Sequence, residues 1–216
     1  MTKDVEFNYS KLRNLIGINF GYKVFIVRTK LNEIILETAV DNISEVCFFL
    51  KNNEECCFEQ LVDLCCIDYS LYKHVTFNVT AADSGFSRAV DGNISTDFEN
   101  KDRFVIVYNL LSICSNFRVR IRCLVQYDNL LVPSVSDIWP SANWYEREVY
   151  DLFGIYFLGH PFLHRILTDY NFEGYPLRKD FPLIGYKDLK YNVDSKKCVY
   201  DIVNIKNEIL NIKIIR

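Results

Sequence analysis

The sequence lacks the patterns that usually hold cofactors. It has no C-x-x-C pair, no G-x-G-x-x-G, no G-x-x-x-x-G-K-[ST] and no G-x-S-x-G. Those patterns bind iron–sulfur clusters or zinc, dinucleotides and phosphates, or carry an acyl-transfer serine, so the sequence has no signature of these chemistries. No apolar run reaches the roughly 18 residues of a membrane-spanning helix. The chain is therefore expected to be soluble or peripheral to a membrane.

A large excess of charge is also missing. The net charge of −3 gives no general attraction to nucleic acid or to anionic lipid. The N-terminal stretch MTKDVEFNYSKLRNL lacks a secretory core and is too acidic for a transit peptide, so either the chain stays where it is made or a targeting piece is missing. The eight cysteines lie in apolar runs such as LVDLCCIDYS, which predicts reduced, buried thiols and a reducing compartment.

Hydrophobic periodicity predicts two helices. The first covers residues 5–16 and ends near Gly17, and the second covers Ile43–Lys51, with Asp41 or Asn42 as its cap. Runs of β-branched residues predict strands at Tyr22–Thr29, Glu33–Val40, Leu61–Ile67, Phe104–Leu111, Phe117–Leu124 and Val125–Leu131. The first two of these strands are close enough in sequence to form a hairpin.

These elements predict an α+β domain over residues 1–140, with a mixed or antiparallel sheet and flanking helices. The polar, turn-rich stretch 70–102 is expected to be a surface insertion that tolerates shortening. Residues 141–216 are expected to form one helix, over 141–153, and then an extended C-terminal arm. The tail 201–216 fits a helix and a strand equally well.

Three arginines alternate with apolar residues in FRVRIRC. Arg118, Arg120 and Arg122 therefore share one face of the predicted strand. That face is either a solvated outer surface or a basic stripe that meets an acidic partner.

The stretch from Asn143 to Leu183 combines acids, arginines, two histidines and many aromatic residues. Its helix is expected to begin at a cap formed by Ser141 or Asn143, with Asn143 and Glu146 spaced as a capping box, and to end at Gly154. Within the helix, Arg147 and Asp151 are spaced as an ion pair of residues i and i+4.

Three functions compete for this stretch. Catalysis by Glu146, Glu148 and Asp151 is poorly served, because the two glutamates diverge by about 200° on a helix. A metal site at His160 and His164 is interrupted by a proline and lacks an evident third ligand. A partner-binding surface of charges and aromatic residues is the remaining hypothesis.

The segment 165–180 has the composition of a protein–protein interface. It combines Arg165, Arg178, Lys179 and Asp180 with tyrosine and phenylalanine, and has little helical or strand periodicity. We expect it to stabilise a complex more than the chain itself. The alternative is a loop of ion pairs that closes its own domain.

The run ANWYEREVYDLFGIYF, followed by GHP, RILTDYNFEGYPLRKDFPL and GY, resembles the complex I subunit known as the 30-kDa subunit, subunit 9 or the C subunit of NADH–ubiquinone oxidoreductase. RFVIVYNLLS, NFRVRIR and PSVSDIWPSANW resemble the same family in the same order. The resemblance is strong over 103–186, weaker over 11–69 and absent over 70–102. One departure is His164, which stands where the family usually has a basic residue of the arginine type.

The resemblance implies a core structural and assembly subunit of the hydrophilic arm of complex I. Such a subunit docks on the quinone-site subunit of the 49-kDa type and binds no flavin, iron–sulfur cluster or other cofactor itself, while NADH, FMN, clusters and ubiquinone belong to the complex as a whole. The predicted signature or interface residues are Trp144, Glu146, Arg147, Glu148, Asp151, His160, Arg165, Arg178, Lys179 and Asp180.

The resemblance also implies a location. The location is either the matrix side of the mitochondrial inner membrane or the cytoplasmic side of a bacterial membrane. The many Asn, Ile, Tyr, Phe and Lys residues suggest an AT-rich gene, which in the mitochondrial case would be an organelle gene. The rival function is a stand-alone soluble enzyme that uses Glu148, Asp151 or His160.

Overall fold

A computed structural model describes residues 2–28, 34–70, 103–182 and 184–203. Three helices and nine strands lie in this part of the chain, with single 3-10 turns at Gly21–Lys23 and Val40–Asn42. In chain order they are α1 (Thr2–Phe20), β1 (Val24–Arg28), β2 (Ile34–Ala39), α2 (Ile43–Asn52), β3 (Gln60–Asp68), β4 (Phe104–Ser112), β5 (Phe117–Val125), β6 (Leu131–Pro133), α3 (Ala142–Phe153), β7 (Tyr156–Leu158), β8 (Lys187–Asn192) and β9 (Lys197–Ile202).

Five strands form one mixed sheet in the order β1-β2-β5-β4-β3. Strand β2 pairs with β5 in parallel, with Ile34 opposite Val119, and the other neighbours are antiparallel. This confirms the predicted α+β fold with a mixed sheet. The predicted hairpin of the first two strands is confirmed as well, while its turn lies outside the described residues.

One face of this sheet carries the core, because alternate residues of a strand point to the same side. On β5 the alternation of arginine with apolar residues buries Val119, Ile121 and Cys123. The helix predicted over Ile43–Lys51 is confirmed as α2, and its residues at positions i, i+3, i+4 and i+7, Ile43, Val46, Cys47 and Leu50, are all buried. Side chains of all three helices join one cluster with β2, β3, β4 and β5.

The arginine face of β5 is partly paired within the chain. Arg122 forms an ion pair with Glu37 at 2.8 Å, and Arg120 donates to the Asn109 side chain at 3.1 Å. Arg118 is exposed. These contacts favour a solvated outer face over a basic stripe kept free for a partner.

Helix α3 packs on β3. The short strands β6 and β7, which precede and follow α3 in the chain, pair with each other in parallel. Helix α3 ends where predicted, because Gly154 adopts a left-handed conformation with φ of 74°. An added Cβ there would meet Tyr175 Cζ at 2.5 Å and Arg178 Nη2 at 2.7 Å. Glycine therefore serves two needs at once, the turn out of the helix and the close approach of the later segment.

Several local predictions are wrong. The strand predicted over residues 125–131 is replaced by a turn between β5 and β6, in which the Asn129 N–H bonds to the Gln126 carbonyl. Helix α1 continues past Gly17 to Phe20, and the glycine with a left-handed backbone that follows the helix is Gly21, with φ of 53°. The Asn42 side chain makes no capping hydrogen bond.

The cysteines are less uniformly buried than predicted. Cys47, Cys56, Cys66 and Cys123 are buried, and burial raises the pKa of the Cys123 thiol to about 12. Cys65, Cys114 and Cys198 are exposed because they lie on outer strand positions or turns, and all eight thiols are free.

The predicted extended arm contains a hairpin that the sequence reasoning missed. Strands β8 and β9 pair with each other in antiparallel fashion and with no other described strand. We call residues 187–202 the C-terminal hairpin. Residues 71–102 of the predicted insertion 70–102 lie outside the described residues, as do residues 204–216 of the predicted tail 201–216, so their predictions stay open. The first two residues of that tail end strand β9.

Candidate partner-binding surface

Glu146 lies on the inner side of α3 and is fully buried. Its carboxylate accepts hydrogen bonds from the Val135 N–H at 2.7 Å and the Ser134 hydroxyl at 2.6 Å. Desolvation outweighs these bonds and raises the pKa of Glu146 to about 7. The predicted capping box is wrong, because Asn143 lies inside the helix and Glu146 reaches the loop before it.

His160 closes the other side of this buried carboxyl. Its Nε2 lies 4.0 Å from Glu146 Oε2 and 3.1 Å from the Asn143 carbonyl oxygen, and its Nδ1 accepts the Phe162 N–H at 3.0 Å. Since Nδ1 accepts a bond, Nε2 carries the proton that bonds to Asn143. Both ring nitrogens have protein partners. The described ranges contain no group of three residues that could hold a metal ion.

Asp151 is the second buried acid of α3, and the predicted pair with Arg147 is wrong. Its carboxylate instead accepts hydrogen bonds from Arg165 at 2.9 Å and the Thr168 hydroxyl. It also accepts the N–H groups of Ile166, Leu167 and Thr168, at 2.7 to 3.0 Å. Burial pulls the pKa of Asp151 up, but these bonds outweigh it and lower the pKa to about 2.

Arg178 and Asp180 bind the same domain from further along the chain. Arg178 Nε donates to the Phe153 carbonyl at 2.6 Å, and its guanidinium lies 4.3 Å from the Tyr175 ring centre. Asp180 accepts from buried Arg103 at 3.0 Å, and Arg103 also pairs with Asp68 at 2.7 Å.

Asp68 connects Arg103 with segment 165–180. Its Oδ2 accepts the Lys179 N–H at 2.9 Å in addition to the Arg103 guanidinium. Burial opposes ionisation of Asp68, yet the bonds from Arg103 and from backbone N–H groups lower its pKa to about 2. Segment 165–180 is therefore held by its own domain through buried charges. This matches the alternative of a loop that closes its own domain.

Arg147 pairs with no acid among the residues that the structure describes. Its Nε donates to the His164 carbonyl at 3.2 Å, and its Nη2 lies 3.3 Å from both His164 Nε2 and the Arg165 carbonyl oxygen. The guanidinium stands 5.2 Å from the centre of the Trp144 ring. The Phe162 ring packs on the other side chain in this group, with its ring centre 3.8 Å from that of His164.

We call Trp144, Arg147, His164 and Phe162 the aromatic ridge. Trp144 is 62% exposed and Phe162 is 68% exposed. Exposed aromatic rings next to an arginine are typical of the centre of protein–protein interfaces. A surface groove of about 670 Å³, lined in part by Tyr22, Phe25 and Leu158, contains none of the predicted signature residues.

The comparison with protein families matches residues 36–187 to the family described as respiratory-chain NADH dehydrogenase, 30 Kd subunit. The chain belongs to this family. The match confirms the resemblance seen in the sequence and, with it, the predicted function as a complex I subunit of this type. It covers the whole of α3, the aromatic ridge and the segment 165–180.

Three relatives, each named as the C subunit of NADH-quinone oxidoreductase, illustrate the range of similarity. The protein of Legionella pneumophila (strain Paris) is 41% identical and covers 100% of this chain and 94% of its own length. That of Coxiella burnetii (strain Dugway 5J108-111) is 41% identical, covering 95% and 92%. That of Francisella tularensis subsp. holarctica is 46% identical, covering 77% and 78%. All three organisms are bacteria, so these relatives favour the bacterial alternative and give no support to the mitochondrial one.

Two solved structures share the fold of this family member. A trypsin-resistant fragment (1-134) of Nqo5 is 26% identical, with a TM-score of 0.51, and covers 71% of this chain and 99% of its own. A chain of the membrane-bound sulfane sulfur reductase, an archaeal respiratory membrane complex, is 20% identical with a TM-score of 0.58 and covers 82% and 86%. In the described part of the chain, no helix is both long and apolar enough to span a membrane.

The predicted signature residues fall into three groups in this family member. Trp144, Glu148, Lys179 and Asp180 are exposed, whereas Glu146 and Asp151 are buried and cannot face a partner. The side chains of Arg147, His160, Arg165 and Arg178 are engaged within the chain. Sequence reasoning missed the anchoring residues Asp68, Arg103 and Thr168, because their partners lie up to 111 residues away.

Proposed function

We propose that this chain is a non-catalytic core subunit of the hydrophilic arm of a bacterial NADH–quinone oxidoreductase. In this role it scaffolds the arm and binds no flavin, iron–sulfur cluster or quinone. The observation that carries the proposal is that several charged residues of the predicted signature set form hydrogen bonds within the chain. Glu146, Asp151 and Arg165 form hydrogen bonds within the chain, while the Trp144 and Phe162 rings of the aromatic ridge stay exposed.

The rival enzyme is disfavoured by the same geometry. Glu148 is exposed, but Asp151 accepts five hydrogen bonds from residues 165–168 and His160 uses both ring nitrogens. A general base needs a free lone pair within reach of a substrate proton. Neither Asp151 nor His160 offers one in this arrangement.

The proposed partners are the quinone-site subunit of the 49-kDa type and other subunits of the hydrophilic arm, on the cytoplasmic side of a bacterial membrane. Two surfaces of the chain support partner binding. The aromatic ridge is one, and the C-terminal hairpin is the other, since a two-stranded hairpin alone is marginally stable in water. The relative's trypsin-resistant fragment, which ends at its residue 134, supports a core that is stable without the C-terminal part.

The proposal is tested on a tagged chain expressed from its own gene. Other subunits of the oxidoreductase should co-purify with it, and deletion of the gene should remove NADH–quinone activity from membranes. The isolated chain should show no flavin or iron–sulfur absorbance and should not oxidise NADH. Turnover by the isolated chain that is lost in Glu148→Gln would favour the rival enzyme.

A further inference from the structure

We infer that Arg147 is a docking residue whose guanidinium receives an aspartate or glutamate carboxylate from another subunit, with Trp144 and Phe162 forming the apolar rim of that contact. The inference rests on the proposed function, because the partner is taken to be a subunit of the same complex. It adds the site of contact and the chemistry of the partner.

The first support is an uncompensated cation. Arg147 is half-buried, yet within the described residues no carboxylate lies within 4.0 Å of its guanidinium. The acid one turn along the helix, Asp151, is already bound by Arg165 and by three backbone N–H groups. A guanidinium stays charged at every physiological pH, so any carboxylate that pairs with it comes from outside the described part of the chain.

The second support is the unused half of the guanidinium. Nε and Nη2 of Arg147 donate to the carbonyls of His164 and Arg165 and to the His164 ring. These contacts leave Nη1 with no hydrogen bond to any residue that the structure describes. They also fix the plane of the group, so little entropy is lost when a carboxylate binds the free edge.

The third support is the surface around this group. Trp144 lies against the guanidinium at 5.2 Å and is 62% exposed, and Phe162, at the far end of the ridge, is also exposed. Aromatic rings of this kind exclude water from a central charged pair, and the pair becomes stronger as water leaves. A protein carboxylate with apolar neighbours fits this surface. A phosphate-rich surface fits less well, because the chain as a whole is acidic, with a net charge of −3, and repels a strongly anionic surface.

The decisive experiment converts the arginine into an amine that can be cross-linked. In complex purified from cells carrying Arg147→Lys, a water-soluble carbodiimide should join the new amine to the partner's carboxylate by an amide bond. Mass spectrometry should then find a peptide containing position 147 linked to an Asp or Glu of a second subunit. Arg13→Lys, at an exposed position of α1, is the matched control and should give no such link.

A second variant measures the size of the effect. Arg147→Gln should lower incorporation into the complex at least about tenfold, the usual consequence of removing one member of a desolvated charge pair. Arg13→Gln should incorporate normally. The melting temperature of each isolated chain separates a docking defect from unfolding.

Three outcomes would overturn the inference: normal incorporation of Arg147→Gln, absence of the intersubunit link in Arg147→Lys, or a link from position 147 to an acid of the same chain. If both Arg147 variants unfold, a benzophenone amino acid in place of Trp144 decides the matter, since Arg147 then stays intact. Adducts with a second subunit would support the contact, and adducts confined to this chain would refute it. The proposed function fails separately, if the wild-type protein co-purifies with no other subunit.

Discussion

Segment 160–182 and the C-terminal hairpin follow one another in the chain but are held in different ways. Segment 160–182 has little regular structure, yet Arg165, Arg178 and Asp180 bind buried groups of the core. The hairpin has regular hydrogen bonding but every residue of both strands is exposed. Regular secondary structure is therefore a poor guide to which part of this chain is stable by itself.

The hairpin is amphipathic, which makes its exposure informative. Strand pairing puts Leu189 opposite Tyr200, Tyr191 opposite Cys198 and Lys187 opposite Ile202, so one face is largely apolar. Its described links to segment 160–182 are polar and exposed, such as Lys187 with Glu173 at 2.8 Å. Exposed ion pairs contribute little free energy. Four predictions test this contrast, in order of decreasing effect.

Removing the central anchor of segment 160–182 should have the largest effect. Asp151→Ala leaves Arg165 unpaired and three backbone N–H groups without their acceptor, and should lower the free energy of unfolding by about 3–5 kcal/mol. Thermal or urea unfolding of the isolated chain measures this change. Asp128→Ala, at an exposed turn position, is the control and should stay near wild type. Equal stabilities of the two variants would show that segment 160–182 is not anchored through Asp151.

Blocking the close contact of Tyr175 and Arg178 with Gly154, at the end of α3, should have the second-largest effect. Gly154→Ala requires a left-handed alanine and places a methyl group 2.5 Å from Tyr175 Cζ. We expect a loss of about 2–4 kcal/mol, together with new trypsin cleavage after Arg178, because overpacking displaces the residues that cover the glycine. Gly17→Ala, in open space on α1, should be neutral or stabilising. An Arg178 that remains protected in Gly154→Ala would contradict the packing argument.

Glu146 should make stability depend on pH. Its pKa of about 7 in the folded chain exceeds the ordinary 4.5, so the folded state holds the proton more tightly than the unfolded state. Its stabilising contribution is complete below pH 4.5 and is lost as the pH rises through about 7.

Glu146→Gln keeps the bonds to Ser134 and Val135 without the buried charge. It should flatten this slope and, at about pH 8, exceed the wild type by about 1–3 kcal/mol. Melting curves from about pH 4.5 to about pH 8 test the sign. A Gln variant that is less stable than the wild type at the alkaline end would refute it.

Deleting residues 187–216 should have the smallest effect on the isolated chain. The loss should stay within about 1 kcal/mol, since the hairpin contributes exposed polar contacts to the rest of the described structure. Incorporation into the complex should fall clearly. A truncated chain that melts much earlier than the full chain, or assembles as well, would remove the contrast between the two regions.

Much of the fold could be predicted from local patterns. The i, i+3, i+4, i+7 stripe of α2 and the alternating FRVRIRC of β5 bury the residues that they predict. The turn between β5 and β6 and the C-terminal hairpin were missed or misassigned, because short apolar runs fit a strand, a turn edge or an arm equally well. The stop at Gly154 was correct because a left-handed residue after a helix has a strong local preference for glycine.

The candidate site was harder to predict because its partners are distant in sequence. Spacing paired Arg147 with Asp151, but Arg165 and the backbone of 166–168 compete for the same carboxylate and offer more hydrogen bonds. Likewise, the spacing of Asn143 and Glu146 predicts a capping box, but the Ser134 hydroxyl and the Val135 N–H bind the Glu146 carboxylate in the interior. Local rules compare only neighbouring groups, whereas the fold lets groups far along the chain compete.

Local patterns along the chain were enough to predict most elements of the sheet, the long charged and aromatic stretch, and membership of a respiratory NADH dehydrogenase subunit family. These depend on local conformational preferences and on the order of motifs, and both can be read from the sequence without the fold. The fold, by contrast, shows that Glu146 and Asp151 are internal and that Arg147 has no acid beside it among the described residues. Burial and hydrogen-bond competition depend on which groups meet in space, and a buried carboxylate goes to the set of donors that best replaces its lost water.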